Sequence, residues 1–164
     1  MRMMEKTCPV CSMTKLDKST LMSFRGVEYL FCSAQCQDRF REHPNLYVGD
    51  PRHGRSEKQK GTSEYKVRRI VLNNKLEKVE QRKLNQKLSE LMGVVAVNIG
   101  SNEIKVQYDL IQIDLSKVEE VIISEISQTD TKITNSIRRA YIHYIEECEI
   151  ENLEHLTKDG GYGI

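Results

Sequence analysis

The chain lacks an excess of charge of either sign. Its 164 residues include 25 Lys and Arg against 24 Asp and Glu, which gives a net charge of +1. Proteins that bind nucleic acid usually carry a strong basic excess, because they must neutralise phosphates. A role in nucleic-acid binding is therefore disfavoured.

Long apolar runs and export signals are also missing. No apolar stretch reaches the length of a transmembrane helix, so we expect no membrane insertion. The first residues, MRMMEKTCPVC, contain neither an apolar core nor a small-residue cleavage site, so we expect no signal peptide. Both absences favour a cytoplasmic protein, in which thiols stay reduced.

Familiar catalytic motifs are absent as well. The sequence contains no nucleotide-binding glycine loop, no nucleophile elbow and no paired histidine and carboxylate motif. We therefore expect that the protein is not an enzyme.

The length of the chain suits one ordinary domain or two small ones.

The cysteines are strongly clustered. Four of the five lie near the N-terminus, as C-x2-C, a gap of 20 residues, and C-x3-C: Cys8, Cys11, Cys32 and Cys36. Two such pairs supply the four thiolates of a tetrahedral metal site. We predict a four-cysteine site for Zn²⁺, and thiolates also accept Cu⁺. A disulfide or redox pair is the less favoured alternative in a reducing compartment.

The sequence between the cysteine pairs predicts a small zinc fold. TLMSFRGVEYLF reads as two short strands joined by a turn at Arg25 and Gly26. Ser33 is expected to cap a short helix that carries Cys36 in its first turn, where the helix dipole favours a thiolate. The order knuckle, hairpin, helix is typical of a treble-clef-like module. With few apolar residues, it is expected to take most of its folding free energy, about 10–16 kcal/mol, from the metal.

Several of these motifs also resemble a known family. CPVCSM, FRGVEYLFCSAQC, Phe40 and HPNLY together resemble the YHS/TRASH family of small metal-binding modules, over residues 5–49. Cys11, Cys32 and Cys36 reproduce the TRASH spacing. The resemblance implies a role in handling, sensing or resisting heavy metals. It leaves open whether the ion is exchangeable or architectural, since closed four-thiolate zinc sites are usually architectural.

A second domain is predicted after a polar linker. The linker is expected at residues 50–64, between a module at 1–49 and a domain at 65–134. Strand and helix patterns alternate as β-α-β-β-α, with a weak last strand in TKIT at 131–134. This order predicts a ferredoxin-like βαββα(β) fold, so that the whole chain is of the α+β class.

The helix ends of this domain also carry signals. The helix EQRKLNQKLSELMG is expected to end at Gly93. The helix LSKVEEVIISEI is expected to begin at Ser116, with Glu119 completing a capping box.

The segments LMGVVAVNIG and IKVQYD resemble the heavy-metal-associated domain of copper chaperones and metal-transporting ATPases. That family binds its ion on M-x-C-x-x-C in the loop after the first strand. The corresponding loop here, residues 71–80, has no cysteine. The resemblance therefore implies a degenerate domain without this metal site, retained for docking or dimerisation.

Residues 135–164 are predicted to form a long helix with a flexible tail. An apolar stripe recurs at helical spacing and is expected to pack on the sheet or against a partner chain, including a second copy: Ile133, Ile137, Tyr141, Tyr144 and Cys148. Cys148 is expected to be a small buried hydrophobe. Four other residues recur every four positions as candidate ligands of a divalent ion, although a solvated face is favoured: His143, Glu147, Glu151 and His155.

Two functions stay open at this point, with a third less favoured. The first is copper or zinc homeostasis, through trafficking or sensing on the four cysteines. The second is a protein-interaction adaptor whose zinc is purely structural. The third is a nucleic-acid-binding zinc protein, which the balanced charge disfavours.

Overall fold

The computed structural model describes residues 7–52, 54–127 and 129–155, with the side chain of His155 excepted. Within these ranges the chain forms two sheets and five α-helices, which confirms the predicted α+β class. The fold divides into two compact units. The first comprises the described residues up to Ser63 together with those from Glu149 onward, and the second runs from Glu64 to Cys148. Every helix in the described ranges is too short or too polar to span a membrane.

The first unit follows the predicted order of knuckle, hairpin and helix. Its elements are β1 (Asp17–Phe24), β2 (Val27–Phe31), α1 (Ala34–Glu42), a 3₁₀ turn (Pro44–Leu46) and α2 (Glu57–Lys60). β1 and β2 pair antiparallel. The backbone φ angles of Arg25 and Gly26 are 50° and 75°, and two successive positive values are typical of a type I′ hairpin turn.

An aromatic cluster forms the core of this unit. Phe40 of α1 is fully buried, and its ring centroid lies 5.1 Å from those of Tyr29 and Phe31, 5.7 Å from that of Phe24 and 6.0 Å from that of Tyr47. Burial of one such side chain contributes about 1.5–3 kcal/mol. The core is therefore more substantial than the composition predicted, and an ion is not its sole source of stability.

The segment expected to be a linker contains regular structure. Asp50 and Gly54 form an isolated antiparallel bridge, and Ser56 and Gln59 form a capping box at the start of α2. Residues up to Ser63 cluster with the first unit. A polar segment can still be ordered, because the capping side chains of Ser56 and Gln59 satisfy backbone groups at the start of α2.

The second unit is built on a three-stranded antiparallel sheet. Its elements are β3 (Tyr65–Val71), α3 (Lys78–Ser89), β4 (Val94–Ile99), β5 (Glu103–Asp109), α4 (Leu115–Ile126) and the part of α5 (Ser136–His155) that ends at Cys148. The strand order is β3-β5-β4. This is the order of a ferredoxin-like sheet without its fourth strand.

The predicted last strand is reduced to one bridge. Ile133 pairs antiparallel with Leu72, and the Thr134 amide donates to the Val71 carbonyl at 2.9 Å. Asn135 then adopts a left-handed conformation, with φ 59°, and α5 begins at the next residue. A left-handed residue cannot continue an extended strand, so the pairing stops there.

Two predicted helix ends are wrong. α3 ends at Ser89, and Gly93 instead occupies the turn before β4 with φ 93°, where an added Cβ would lie 2.7 Å from the Cβ of Gln112. α4 is capped by Asp114, whose carboxylate accepts from the Lys117 amide at 3.1 Å. Ser116 lies inside the first turn, because Asp114 already supplies the cap two positions earlier.

The apolar stripe of α5 is not packed on the sheet. Ile137 is 87% exposed, and Tyr141 and Tyr144 are each 64% exposed. Cys148 is half-buried rather than fully buried. The prediction that this stripe packs on the sheet is therefore wrong, and the alternative that it packs against a partner chain stays a prediction.

A buried carboxylate holds α5 in the second unit instead. Glu146 is 1% exposed, and its Oε1 accepts from Nε of Arg68 at 3.0 Å and from the hydroxyl of Tyr108. Its Oε2 accepts from the Leu115 amide at the start of α4 at 2.9 Å. Burial, followed by the neighbouring negative charge of Glu146, raises the pKa of Tyr108 above its ordinary value. One side chain thus ties both helices to two strands.

We expect Glu146→Ala to destabilise the second unit by about 3 kcal/mol, because it leaves the buried donors of Tyr108 and Leu115 and the half-buried Arg68 without an acceptor. Native-state hydrogen exchange of the Val106 amide in β5 measures this loss. The control is Glu120→Ala, which removes an exposed pair with Lys117 at 3.4 Å and should cost less than about 1 kcal/mol. Equal effects of the two substitutions would contradict the role given to Glu146.

Candidate metal centre

The four N-terminal cysteines converge on one point. The Sγ atoms of Cys8, Cys11, Cys32 and Cys36 all lie within 4.8 Å of one another. The separations are 3.3 Å between Cys11 and Cys32 and 3.5 Å between Cys32 and Cys36. Tetrahedral zinc, with Zn–S bonds of about 2.3 Å, places its sulfurs about 3.8 Å apart. The cluster therefore has the donor set and the dimensions for one such ion.

The first pair is presented by a tight knuckle. The Cys8 amide donates to the Met13 carbonyl and the Ser12 amide donates to the Cys8 carbonyl, both at 2.8 Å. Ser12 adopts a left-handed conformation, with φ 66°, to close this loop. The reversal of the chain directs the sulfurs of Cys8 and Cys11 to the same point, and this is why only two residues separate them.

The second pair is presented by the junction of β2 with α1. Cys32 follows the last residue of β2, and the hydroxyl of Ser33 accepts from the Cys36 amide at 3.4 Å as the predicted N-cap. Cys36 therefore lies in the first turn of α1, which contains no acidic residue. The positive end of the helix dipole favours a thiolate at this position.

Access to the four sulfurs is uneven. Cys8 and Cys36 are each 1% exposed, whereas Cys11 and Cys32 are half-buried. The site is thus closed by protein on one side and reachable through two of its ligands on the other. A reachable ligand is a condition for passing an ion to another molecule.

The thiols of the cluster perturb one another. Hydrogen bonds from Cys11 and then Cys36 hold the pKa of Cys8 far below its usual range. Hydrogen bonds with Cys11 and Cys8, together with burial, raise the pKa of Cys36 far above its usual range. For Cys11, a hydrogen bond with Cys36 favours the thiolate, but the bond with Cys8 and burial outweigh it and raise the pKa to about 12. Four neighbouring thiols therefore cannot all ionise unless a cation joins them.

The alternative ion site predicted on α5 is not supported by the described side chains. Nε2 of His143 lies 2.9 Å from Oε2 of Glu119 on α4, and His143 forms no ligand group with Glu147 or Glu151. The side chain of His155 lies outside the described part. Among the described residues, the four N-terminal cysteines are the only cluster with metal-ligating geometry.

Comparisons with known proteins agree with this location. Residues 7–50 match the family model of the YHS domain, and this span includes all four cysteines. A solved structure described as "CsoZ metallochaperone" is 22% identical and covers 44% of this chain and 100% of its own, with a TM-score of 0.38, which is too low to support an inference. No curated protein matches the chain. The resemblance of the second unit to a heavy-metal-associated domain stays a prediction.

Metal binding at this site should release protons. An ordinary thiol, with a pKa of about 8.5, is mostly protonated at pH 7, and mutual hydrogen bonds and burial raise the pKa of Cys11 and Cys36 further. Each thiol must lose its proton to become a ligand, so affinity should rise with pH. We expect at least about two protons released per ion at pH 7, measured by titration calorimetry of Zn²⁺ in buffers of different ionisation enthalpy. A binding heat that does not depend on the buffer would contradict the ligand assignment.

Substitutions should show that the four-cysteine cluster binds the metal and that the fifth cysteine does not. We expect Cys36→Ser to lose about one equivalent of bound metal per chain, because a hydroxyl is a poor ligand for soft ions. Elemental analysis of the purified protein measures this. Cys148→Ser, which lies outside the cluster, is the matched control and should keep the full equivalent. Loss of metal in the control would show that Cys148 takes part.

Proposed function

We propose that the chain is a metal-handling protein that binds one Zn²⁺ or Cu⁺ ion on Cys8, Cys11, Cys32 and Cys36 and exchanges it with other molecules in zinc or copper homeostasis. The observation that carries this proposal is the convergence of four sulfurs within 4.8 Å. The match of residues 7–50 to the YHS domain supports it, because the match covers the same site. The proposed role is non-catalytic and cytoplasmic.

The donor set suits either ion. Thiolates are soft ligands that bind both Zn²⁺ and Cu⁺, and hard ions such as Mg²⁺ prefer oxygen. Four sulfurs at tetrahedral spacing favour Zn²⁺ when all four are used. Cu⁺ would need no more than a subset of the same sulfurs.

Exchange is favoured by the exposure of two ligands. An incoming thiolate must reach the ion while an outgoing ligand leaves it, so reaction rates depend on access. Cys11 and Cys32 are half-buried and adjacent, at 3.3 Å, so an acceptor can approach on their side. Cys8 and Cys36 would keep the ion attached to the protein during this step.

Exchange also requires that the module survives without its ion. The aromatic cluster around Phe40 and the antiparallel pairing of β1 with β2 do not involve the sulfurs. Each buried ring contributes about 1.5–3 kcal/mol, and together these contributions are comparable to that of a structural zinc ion. The first unit therefore has a means of staying folded when the ion leaves.

A second candidate is an adaptor protein with structural zinc. A closed four-thiolate site leaves no open coordination position and is usually architectural. The exposed apolar residues Ile137 and Tyr141 on α5 would then serve a protein partner. The two candidates differ in whether the fold outlasts the ion.

Removal of the ion distinguishes the two functions. We expect the apo protein, prepared with a strong chelator under reducing conditions, to retain most of its near-ultraviolet circular dichroism, because the rings around Phe40 stay packed. The loaded protein should also pass its ion to a competing thiol chelator within minutes. Phe40→Ala is the control that should abolish the apo signal, since it empties the centre of the core. Collapse of the wild-type signal on metal removal would favour the adaptor.

A further inference from the structure

The outer edge of β3 is unpaired over most of its length. β3 pairs with β5 on one side only. The Leu110 amide donates to the Glu64 carbonyl at 2.8 Å and the Leu72 amide donates to the Asn102 carbonyl at 2.9 Å. Backbone groups alternate in direction along a strand, so the even-numbered residues face β5. The odd-numbered residues of β3 therefore direct their amides and carbonyls outward.

Only the end of this edge is covered. The Val71 carbonyl accepts from the amide and the hydroxyl of Thr134, at 2.9 and 3.0 Å. No strand among the described residues pairs with the outward groups of Tyr65, Val67 and Arg69. Asn135 turns the chain away, so no described strand takes the fourth position beside Val67 and Arg69.

A hollow lies along this vacant edge. It has a volume of about 270 Å³ and is lined by the five successive residues from Val67 to Val71. Successive side chains of a strand point to opposite faces, so a hollow that touches all five follows the edge and not one face. Leu115 and Ile142 of the neighbouring helices supply its apolar lining. The space thus combines free backbone groups with an apolar surface.

The charge of the hollow is basic. Four arginines and one carboxylate line it: Arg68, Arg69, Arg138, Arg139 and Glu119. Arg68 is held by the buried Glu146 at 2.9 Å and Arg139 by Glu119 at 2.7 Å, whereas the pair of Arg69 with Glu103 is exposed and contributes little. Arg138 is exposed and has no ion pair among the described residues. The hollow therefore offers at least one free guanidinium to an acidic ligand.

We propose that the outer edge of β3 binds an extended acidic segment of another protein, which adds to the sheet as its fourth strand. Addition of a strand uses backbone hydrogen bonds for affinity and side-chain pockets for specificity. The basic lining selects acidic side chains in the segment. A second copy of this chain is a poor occupant, because it would bring a second Arg69 and a second Arg138 to the same basic edge.

A model peptide tests the proposal on the full-length protein. The probe is a fluorescein-labelled peptide of about eight residues that alternates valine and glutamate, and its counterpart carries lysine in place of glutamate. We expect the glutamate peptide to bind at least about tenfold more tightly than the lysine peptide by fluorescence anisotropy. On binding, the amides of Val67 and Arg69 should gain protection from hydrogen exchange.

Two variants locate the binding site. Val67→Pro removes an outward amide without removing a bond to β5, so the fold is retained and binding should weaken about tenfold. Arg138→Glu reverses the free charge and should weaken the glutamate peptide about tenfold. Arg82→Glu makes the same charge change on the exposed face of α3, outside the hollow, and should leave affinity within about twofold.

Three results would overturn the proposal. One is equal affinity for the glutamate and lysine peptides. Another is protection that appears elsewhere than at Val67 and Arg69. The third is a dimer, detected by light scattering, that Val67→Pro dissociates, because this would assign the edge to a second copy. Since neither the edge nor the hollow includes a cysteine, the outcome does not depend on metal binding in the first unit.

Discussion

The convergence of four thiols is the constraint on which the metal chemistry of this protein depends. Cys8, Cys11, Cys32 and Cys36 come from a knuckle and from the junction of a strand with a helix, and their sulfurs lie within 4.8 Å of one another. Without a cation such a group is electrostatically frustrated, because burial and mutual hydrogen bonds oppose full ionisation. The positive charge of a bound soft ion stabilises all four thiolates. Because the ion displaces thiol protons when it binds, the free energy of metal binding depends on pH.

The two units differ in what stabilises them. The first combines a metal centre with an aromatic cluster around Phe40, so its fold has two partly independent supports. The second has no soft-metal ligand cluster among its described residues, and relies on an apolar sheet and on the buried carboxylate of Glu146. A buried carboxylate of this kind is stable only because three donors surround it. The proposed ion site and the proposed peptide-binding edge therefore lie in different units of the chain.

Much of this architecture was predictable because it rests on local chemistry. Cysteine spacing predicted the cluster, and Gly26 in the pair Arg25-Gly26 predicted the hairpin turn, because glycine adopts the positive φ angles that such a turn needs. The cap of α4 was missed because Asp114 and Ser116 are both acceptable caps and only tertiary placement selects one. The buried face of α5 was also missed: it is organised around Glu146, while the apolar residues Ile137 and Tyr141 are exposed. Periodicity detects apolar faces and is blind to a buried charge whose partners lie on other elements.

X-ray absorption spectroscopy of the metal-loaded protein tests the central claim most directly, because it counts the atoms bound to the ion. For the zinc form we predict one ion per chain with about four sulfur neighbours at about 2.3 Å. A first shell that contains nitrogen or oxygen ligands in place of two or more sulfurs would contradict the account, because the ion would then not be held by the four-cysteine cluster.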